Sequence, residues 1–494
     1  MRNERQRFSG PSRADMLFAA PWSGLERLLF AAICTATLFF ALVTPPFQAP
    51  DENQHYMKAL SLTEGKLLTE QRGAAIGTEL PRAALAIHAE DFPTDVPPRP
   101  RQFHAEQLAR SAAADPARPG RAFADFPNVA SYAPSLYAPG AAGLVVGGIV
   151  GLPALGSFYL GRLVNALAGL ALLLAALRLL PFGRNALLAT ALLPTFAYQT
   201  GSLSPDAVIT GLGFLGLALA LRTAFMRPAP LSSAALLVTG PLLALCKGVY
   251  LPLMAAGLRW RGPRHARLWL ILSAMALGAV AFIGWMHYSG GSQALYHVQS
   301  RKTGETMMTA PLRDQLAVIL ADPVSFIRIL ATSMIERAPV YALQIVGRFG
   351  WNAILLPLLA YPLALLMLGA SIACGSGARF GIGQRLWWLA VAAGVALLIE
   401  TAMYLTGTPL GADYIQGTQG RYFLPILPLV LLALSPARGG VGAQRLLACA
   451  AIPLLLIAAV CVFDSFWIHG FVTADGMPPH DSIIRALLLP SPRW

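Results

Sequence analysis

The chain is a succession of apolar runs joined by short loops that carry arginine and no acid. Such runs, near the roughly 20 residues that cross a bilayer as a helix, leave few folds open, because lipid satisfies no backbone hydrogen bond. Hydrophobic residues make up 56% of the 494 and charged residues only 12%, with a mean hydropathy of +0.57. A polytopic, all-α membrane protein is the reading. The first run, Leu28 to Val43, has the length of a signal peptide, but about 27 residues precede it and equally apolar sequence follows. It is read as an uncleaved first span.

The arginines set the threading. They gather at Arg178 and Arg184, Arg222 and Arg227, Arg259 through Arg267, Arg379 and Arg385, and Arg438 and Arg445. By the positive-inside rule these loops are cytoplasmic, together with an N-terminal segment 1–27 that holds Arg2, Arg5, Arg7 and Arg13. The net charge of +13 therefore reports orientation rather than nucleic-acid binding. Keeping every basic loop inside requires about eleven transmembrane helices, within a range of 10 to 13. They fall near 28–44, 158–179, 185–201, 206–224, 231–246, 248–258, 267–286, 350–372, 385–406, 421–436 and 444–464. The pair 231–246 and 248–258 is short for two crossings, yet parity demands both, with Lys247 at their outer turn. The other possibility is one long tilted helix, which would put Arg259 on the wrong side.

On this threading 21 of the 24 acids lie outside the cytoplasm or at outer span ends, and only Glu4, Asp15 and Glu26 remain inside. A single transmembrane domain, 28–464, then carries extracytoplasmic loops 45–157 and 287–349, a shorter one at 407–420, and an outer tail 465–494. Within the first loop, Asp51 to Leu68 places Tyr56, Ala59, Leu60, Thr63 and Leu67 on one helical face, with Gly65 as a stop. This predicts an amphipathic helix on the membrane surface. Residues 91–127, rich in Pro, Ala, Arg and Asp, predict an irregular lid. Residues 132–150 predict a juxtamembrane or re-entrant element, and 327–346 a further interfacial helix interrupted by Arg328, Glu336 and Arg337.

The candidate chemistry sits at the outer rim. Asp51 and Glu52 follow the first span just past Pro45, Pro46 and Pro50, which stop the helix and hold the pair there. Ionised groups beside hydrocarbon are costly and mark functional sites, although acids that favour a helix N-terminus are the plainer alternative. Arg421-Tyr422 pairs a cation suited to phosphate with an aromatic ring, or forms an interfacial anchor. Lys247 is an isolated cation that either binds the same anion or snorkels. Asp206, after Ser204 and Pro205, is a ligand or part of a helix cap. Arg348 with Trp351 supplies a cation and a stacking ring, or a belt residue. His55, Tyr56, Asp413 and Gln416 are further candidates for substrate contact. The five cysteines have no ligand spacing. No Walker loop, Rossmann fingerprint, zinc pattern or Gly-x-Ser-x-Gly elbow is present.

The segments TPPFQAPDENQHYMKALSLTEGKLL (44–68), YLGRLVNALAGL (159–170), LLPTFAYQTGSLSPDAV (192–208), LLALCKGVYLPL (242–253), GRFGWNAILLP (347–357) and QGRYFLPILPLVLLAL (419–434) resemble domain of unknown function 2142, a group of bacterial polytopic membrane proteins. The acid pair after the first span, the Lys-Gly turn between two helices and the late Arg-Tyr resemble, more distantly, the C-type (GT-C) superfamily of integral membrane glycosyltransferases. That second resemblance implies a GT-C-like architecture and an inverting sugar transfer on the outer face of the bacterial cytoplasmic (inner) membrane. The implied donor is a polyprenyl-phosphate-linked sugar and the implied acceptor an envelope glycan or glycolipid, in cell-envelope polysaccharide biosynthesis. Asp51 matches the superfamily's first acid and is the expected general base. Glu52 would orient it, touch the acceptor or assist a metal, and Arg421, Lys247 and Arg348 would hold the donor phosphate. No cofactor is fixed, and a divalent cation (Mg or Mn) is used by some members only. The rival readings are a flippase or transporter of a lipid-linked saccharide, a polysaccharide polymerase, and a non-enzymatic envelope scaffold. Transporters tend to carry internal repeats and midplane charges, and neither is apparent here.

Overall fold

A computed structural model of the chain describes residues 22–73, 75–93, 103–113, 119–227, 229–258, 265–303 and 312–468. The first helix, α1 (Gly24–Val43), begins at a capping box. The Ser23 hydroxyl accepts the Glu26 N–H, and the Glu26 carboxylate accepts the Ser23 N–H, so two otherwise orphaned donors are satisfied. It stops at Thr44, before Pro45 and Pro46. The next helix, α2 (Glu52–Thr63), ends short of Gly65, whose φ of +72° suits the residue that can turn left-handed without a Cβ clash.

Instead of lying on a membrane surface, α2 is sandwiched. Tyr56 and Ala59 join the main core, while Met57 packs with Leu80, Ala124, Phe126 and Val129 in a small cap. That cap is a three-stranded antiparallel sheet of β1 (Glu70–Arg72), β2 (Ala75–Pro81) and β3 (Arg121–Asp125), in the order β1-β2-β3. α3 (Arg82–Ala86) packs against it, and α4 (Ala105–Ala113) follows in the chain. The expectation of an irregular lid over 91–127 is thus corrected where residues are described; 94–102 and 114–118 lie outside them. Pairing supplies the order that composition does not advertise. Gly77 sits so close to the Ala124 carbonyl that no Cβ fits.

Next comes an apolar hairpin, α5 (Ala138–Ile149) against α6 (Ala154–Leu179). A Cβ on Gly143 would come within 2.7 Å of the Gly161 Cα, so bare backbone is what lets the two helices touch. The expected span 185–201 is broken into α7 (Arg184–Ala191) and α8 (Pro194–Thr200), because Pro194 has no N–H to continue the ladder. Then α9 (Asp206–Phe225) and α10 (Pro230–Lys247) follow. At Lys247 the backbone turns extended and a 3₁₀ segment, Gly248–Gly257, returns. The two legs run side by side: a Cβ on Gly216 would meet both Leu243 and Met254, and one on Gly257 would meet the Ala220 carbonyl near the end of α9. The expected up-and-back pair is therefore present. Ten residues suffice for the return because a 3₁₀ helix rises about 2.0 Å per residue against 1.5 Å in an α-helix.

Beyond the long α11 (His265–Thr303), α12 (Leu312–Ala321) and α13 (Pro323–Val346) are bent by 105°. The expected span 350–372 opens instead as a hairpin of β4 (Arg348–Phe349) and β5 (Ile354–Leu355), since Gly350, Trp351 and Asn352 all have positive φ. Its helix, α14 (Ala360–Ala373), is only 14 residues long. Then α15 (Ile382–Gly407) follows. The expected span 421–436 is a 3₁₀ turn at Gly420–Phe423 and a short α16 (Leu427–Leu434), interrupted by Pro425 and Pro428. The final helix is α17 (Ala443–Phe463).

The chain is an all-α polytopic membrane protein with two small sheets. Among the described residues, seven helices are long and apolar enough to cross a membrane, or eight if the bent pair counts as one, against the eleven expected. The difference lies in the three proline- or turn-broken spans and in the folded-back Pro230–Gly257, which is a single apolar stretch. The basic loops do converge on one end of the bundle. Arg184 pairs with Glu26 at 3.0 Å, the Gly183 N–H donates to Ser376, the Ser376 N–H donates to Pro436, and Gln384 donates to Leu258. Arg2, Arg5, Arg7, Arg13, Arg259 and most of the tail from 465 lie outside the described residues.

Candidate functional site

At the opposite end, residues 44–52 form a turn held from three sides. Arg162, from the middle of α6, donates to the carbonyls of Ala41, Thr44 and Pro45. Trp351 donates its indole N–H to Phe47 at 2.9 Å, and the Tyr198 hydroxyl donates to Gln48 at 3.0 Å. Phe47 and Asp51 are left with φ of +64° and +62°, a conformation that non-glycine residues hold only where surrounding contacts enforce it.

Glu52 is wholly buried, and its two oxygens accept four bonds. Oε1 takes Arg162 Nε at 2.8 Å and the Leu203 N–H at 2.7 Å; Oε2 takes Arg162 Nη2 at 2.6 Å and the Phe47 N–H at 3.0 Å. With no open acceptor, Glu52 has no free face for an acceptor sugar or a metal. Its four bonds fasten the turn that carries Asp51.

Asp51 behaves differently. It is the N-cap residue of α2, with Glu52 in the first turn, as the plainer helix-terminus reading has it, but its side chain makes no capping bond. Its side chain is 30% exposed, with Oδ2 3.3 Å from Arg421 Nη2. Arg421 is buried, with its Nε 3.3 Å from Asp206 Oδ2 and its Nη1 3.4 Å from Gln199 Oε1. The Nε–Oδ2 approach is an ion pair without a hydrogen bond, so both atoms are orphaned in a buried setting. Buried groups of this kind call for a partner. The Ser204 hydroxyl accepts the Asp206 N–H at 3.2 Å, but the N-cap residue of α9 is Pro205 rather than Ser204.

Lys247, at the hairpin turn, places Nζ 3.7 Å from the centre of the Tyr422 ring. A cation over an aromatic face is attracted by the ring quadrupole. The Tyr422 carbonyl accepts the Tyr250 hydroxyl at 2.8 Å, which ties the 3₁₀ return leg to the Arg421 turn. His55 is buried, and its Nδ1 lies 2.9 Å from the Tyr137 hydroxyl. Burial drives its pKa down to about 4, against the opposing pull of Asp51 and Asp206, so it is neutral at ordinary pH. Burial pushes the pKa of Tyr132 and Tyr137 up, so both phenols stay protonated.

Asp51, Arg421, Asp206, Lys247, Tyr422 and His55, spread over 372 positions of sequence, thus share one region. Other candidates fall elsewhere. Tyr56 is a core residue that donates to Ala84. Arg348 closes its own hairpin by donating to Asn352 at 2.6 Å, and Trp351 supports the turn from behind. Asp413 is exposed, and the Gln416 N–H bonds Thr408 within its own loop. Arg162 and Gln199 were not anticipated. The signal for Arg162 was in plain view, as a lone arginine inside an apolar span. Among the described residues no group of three or more His, Cys, Asp or Glu side chains is placed to hold a metal ion.

A family model described as predicted membrane protein (DUF2142) matches residues 34–430. No curated protein and no solved structure matches the chain.

Proposed function

The chain belongs to the DUF2142 family of predicted membrane proteins, and on that footing we propose that it is a membrane glycosyltransferase. It takes a sugar from a polyprenyl-phosphate donor and passes it, with inversion, to an envelope glycan or glycolipid. The observation that carries this reading is the orphaned pair of buried polar atoms, Arg421 Nε and Asp206 Oδ2, beside the partly exposed Asp51. An anion with its own hydroxyls fits that set: phosphate oxygens accept from Arg421, and a sugar hydroxyl donates to Asp206.

In the reaction the acceptor hydroxyl oxygen attacks the anomeric carbon on the face opposite the phosphate. The new C–O bond forms as the anomeric carbon–phosphate oxygen bond breaks. Asp51 takes the hydroxyl proton, and polyprenyl phosphate leaves with the bonding electrons. Arg421 and Lys247 stabilise the growing phosphate charge, and neutral His55 withholds a competing proton. The positive-inside rule assigns the basic-loop end to the cytoplasm of a bacterial inner membrane, so this site faces outward.

The test is sugar transfer by purified protein in lipid, from a panel of polyprenyl-phosphate sugars, comparing wild type with Asp51→Asn. General-base catalysis is worth about 10²–10⁴-fold, so transfer should fall at least about 100-fold while donor binding persists. Donor binding without turnover, equal in both proteins, would instead support a flippase or scaffold.

A further inference from the structure

A second site lies behind the first. Between α4 and the rim ends of α1 and α6 runs an open groove of about 400 Å³, lined by Leu42, Leu108, Ala109, Ala112, Leu155 and Tyr159. The Glu52–Arg162 pair separates it from Asp51 and Arg421, since the Arg162 guanidinium stacks 5.4 Å from the Tyr159 ring centre. The orientation of α4 is not free: Ser111 donates to Asp91 Oδ2 at 2.6 Å and Gln107 to the Asp91 carbonyl. These bonds turn Leu108, Ala109 and Ala112 toward the groove.

Two features say what occupies it. The groove is continuous with apolar stripes on two membrane spans: Leu38 and Leu42, one turn apart on α1, are 38% and 54% exposed, and Leu167, two turns along from Tyr159 on α6, is 57% exposed. A hydrocarbon chain lying along those stripes would run into the groove without leaving apolar surface. The second feature is polar. The Tyr159 hydroxyl is buried at the groove with no hydrogen-bond partner among the described residues. A phenol in an apolar setting needs an acceptor, and leaving it unpaired is costly.

We propose that this groove binds one acyl chain of a bilayer glycerophospholipid, with the ester carbonyl accepting the Tyr159 O–H. The ester sits where an acyl chain meets the interface, which is also where α1 and α6 reach the rim. A polyprenyl chain fits less well, because it carries no acceptor between its phosphate and its tail. The bound lipid would fill the space beneath α4 and hold that part of the cap against the bundle.

The experiment is native mass spectrometry of protein extracted from nanodiscs of palmitoyl-oleoyl phosphatidylglycerol and phosphatidylethanolamine. Wild type should retain one phospholipid per chain. Tyr159→Phe should retain it roughly 2- to 10-fold less, the worth of one net hydrogen bond. A diether lipid of the same chains, which lacks the carbonyl, should be lost from wild type to the same extent. Ala112→Trp, which fills the groove, should retain none; if it fails to fold, the Tyr159→Phe and diether comparisons decide. No retained lipid in wild type, or equal retention of ester and diether lipid, would each overturn the proposal. None of these readouts uses sugar transfer, so they stand or fall apart from the activity proposed above.

Discussion

Glu52→Gln is the substitution through which the architecture of the site is best tested. The change is nearly isosteric, so any cost comes from charge and hydrogen bonding. Each Glu52 oxygen accepts two donors, one from Arg162 and one from the backbone of Phe47 or Leu203. Whichever way a glutamine amide is turned, its NH₂ faces two donors. The Arg162 guanidinium, fully buried, then loses its counter-charge and keeps only carbonyl partners. Breaking a buried ion pair from one side costs about 3–5 kcal/mol, most of it the penalty for the uncompensated charge. The assay is reversible denaturant unfolding in mixed micelles, completed as a double-mutant cycle with Arg162→Met. The double variant should recover part of the loss, with a coupling of at least about 2 kcal/mol. Asp51→Asn serves as the contrast: its pair with Arg421 is partly exposed, and such pairs contribute about 0–1 kcal/mol. The reasoning is refuted if Glu52→Gln unfolds within about 1 kcal/mol of wild type, or if the two substitutions simply add.

Protonation of His55 should weaken the fold. Its folded pKa, about 4, lies below the ordinary 6.5, so between those values the unfolded chain binds the extra proton and stability falls as pH is lowered. Over that window the loss is about 3 kcal/mol at roughly 1.4 kcal/mol per unit, and unfolding of His55→Gln measured against pH should be flatter there. Replacing Tyr422 by Leu removes the face under Lys247, worth about 0.5–2 kcal/mol. Donor affinity, read by isothermal titration, should drop roughly 2- to 30-fold, whereas Tyr422→Phe should keep it. A Cβ on Gly420 would strike the Tyr341 carbonyl, so Gly420→Ala should displace Arg421 and weaken donor binding.

Membrane class, the first span, the convergence of the basic loops and the acids of the opposite rim were all legible in the sequence. Hydrophobic length and charge placement act locally, and lipid leaves a chain little choice about either. Even the return leg after Lys247 could be inferred, because parity is a counting constraint. What could not be read was everything that depends on pairing between distant segments. The strands at 70–81 and 121–125 are polar and short, and they exist only because β2 and β3 meet across about forty residues. Prolines broke two expected spans and the left-handed turn at Gly350, Trp351 and Asn352 a third, and only packing decided that α7, α8, α14 and α16 would still belong to the bundle.

The same division runs through the site. Sequence alone brought forward Asp51, Arg421, Asp206 and Lys247 by residue type and by position at span ends. Tertiary structure decided which carboxylate is available, since Asp51 and Glu52 are neighbours and no local pattern tells them apart. Arg162, 110 residues later, closes on both oxygens of Glu52, while the left-handed turn at Asp51 swings the other acid toward Arg421. A buried charge must find its partner wherever the fold brings one, and that partner is a property of three-dimensional proximity rather than of sequence spacing.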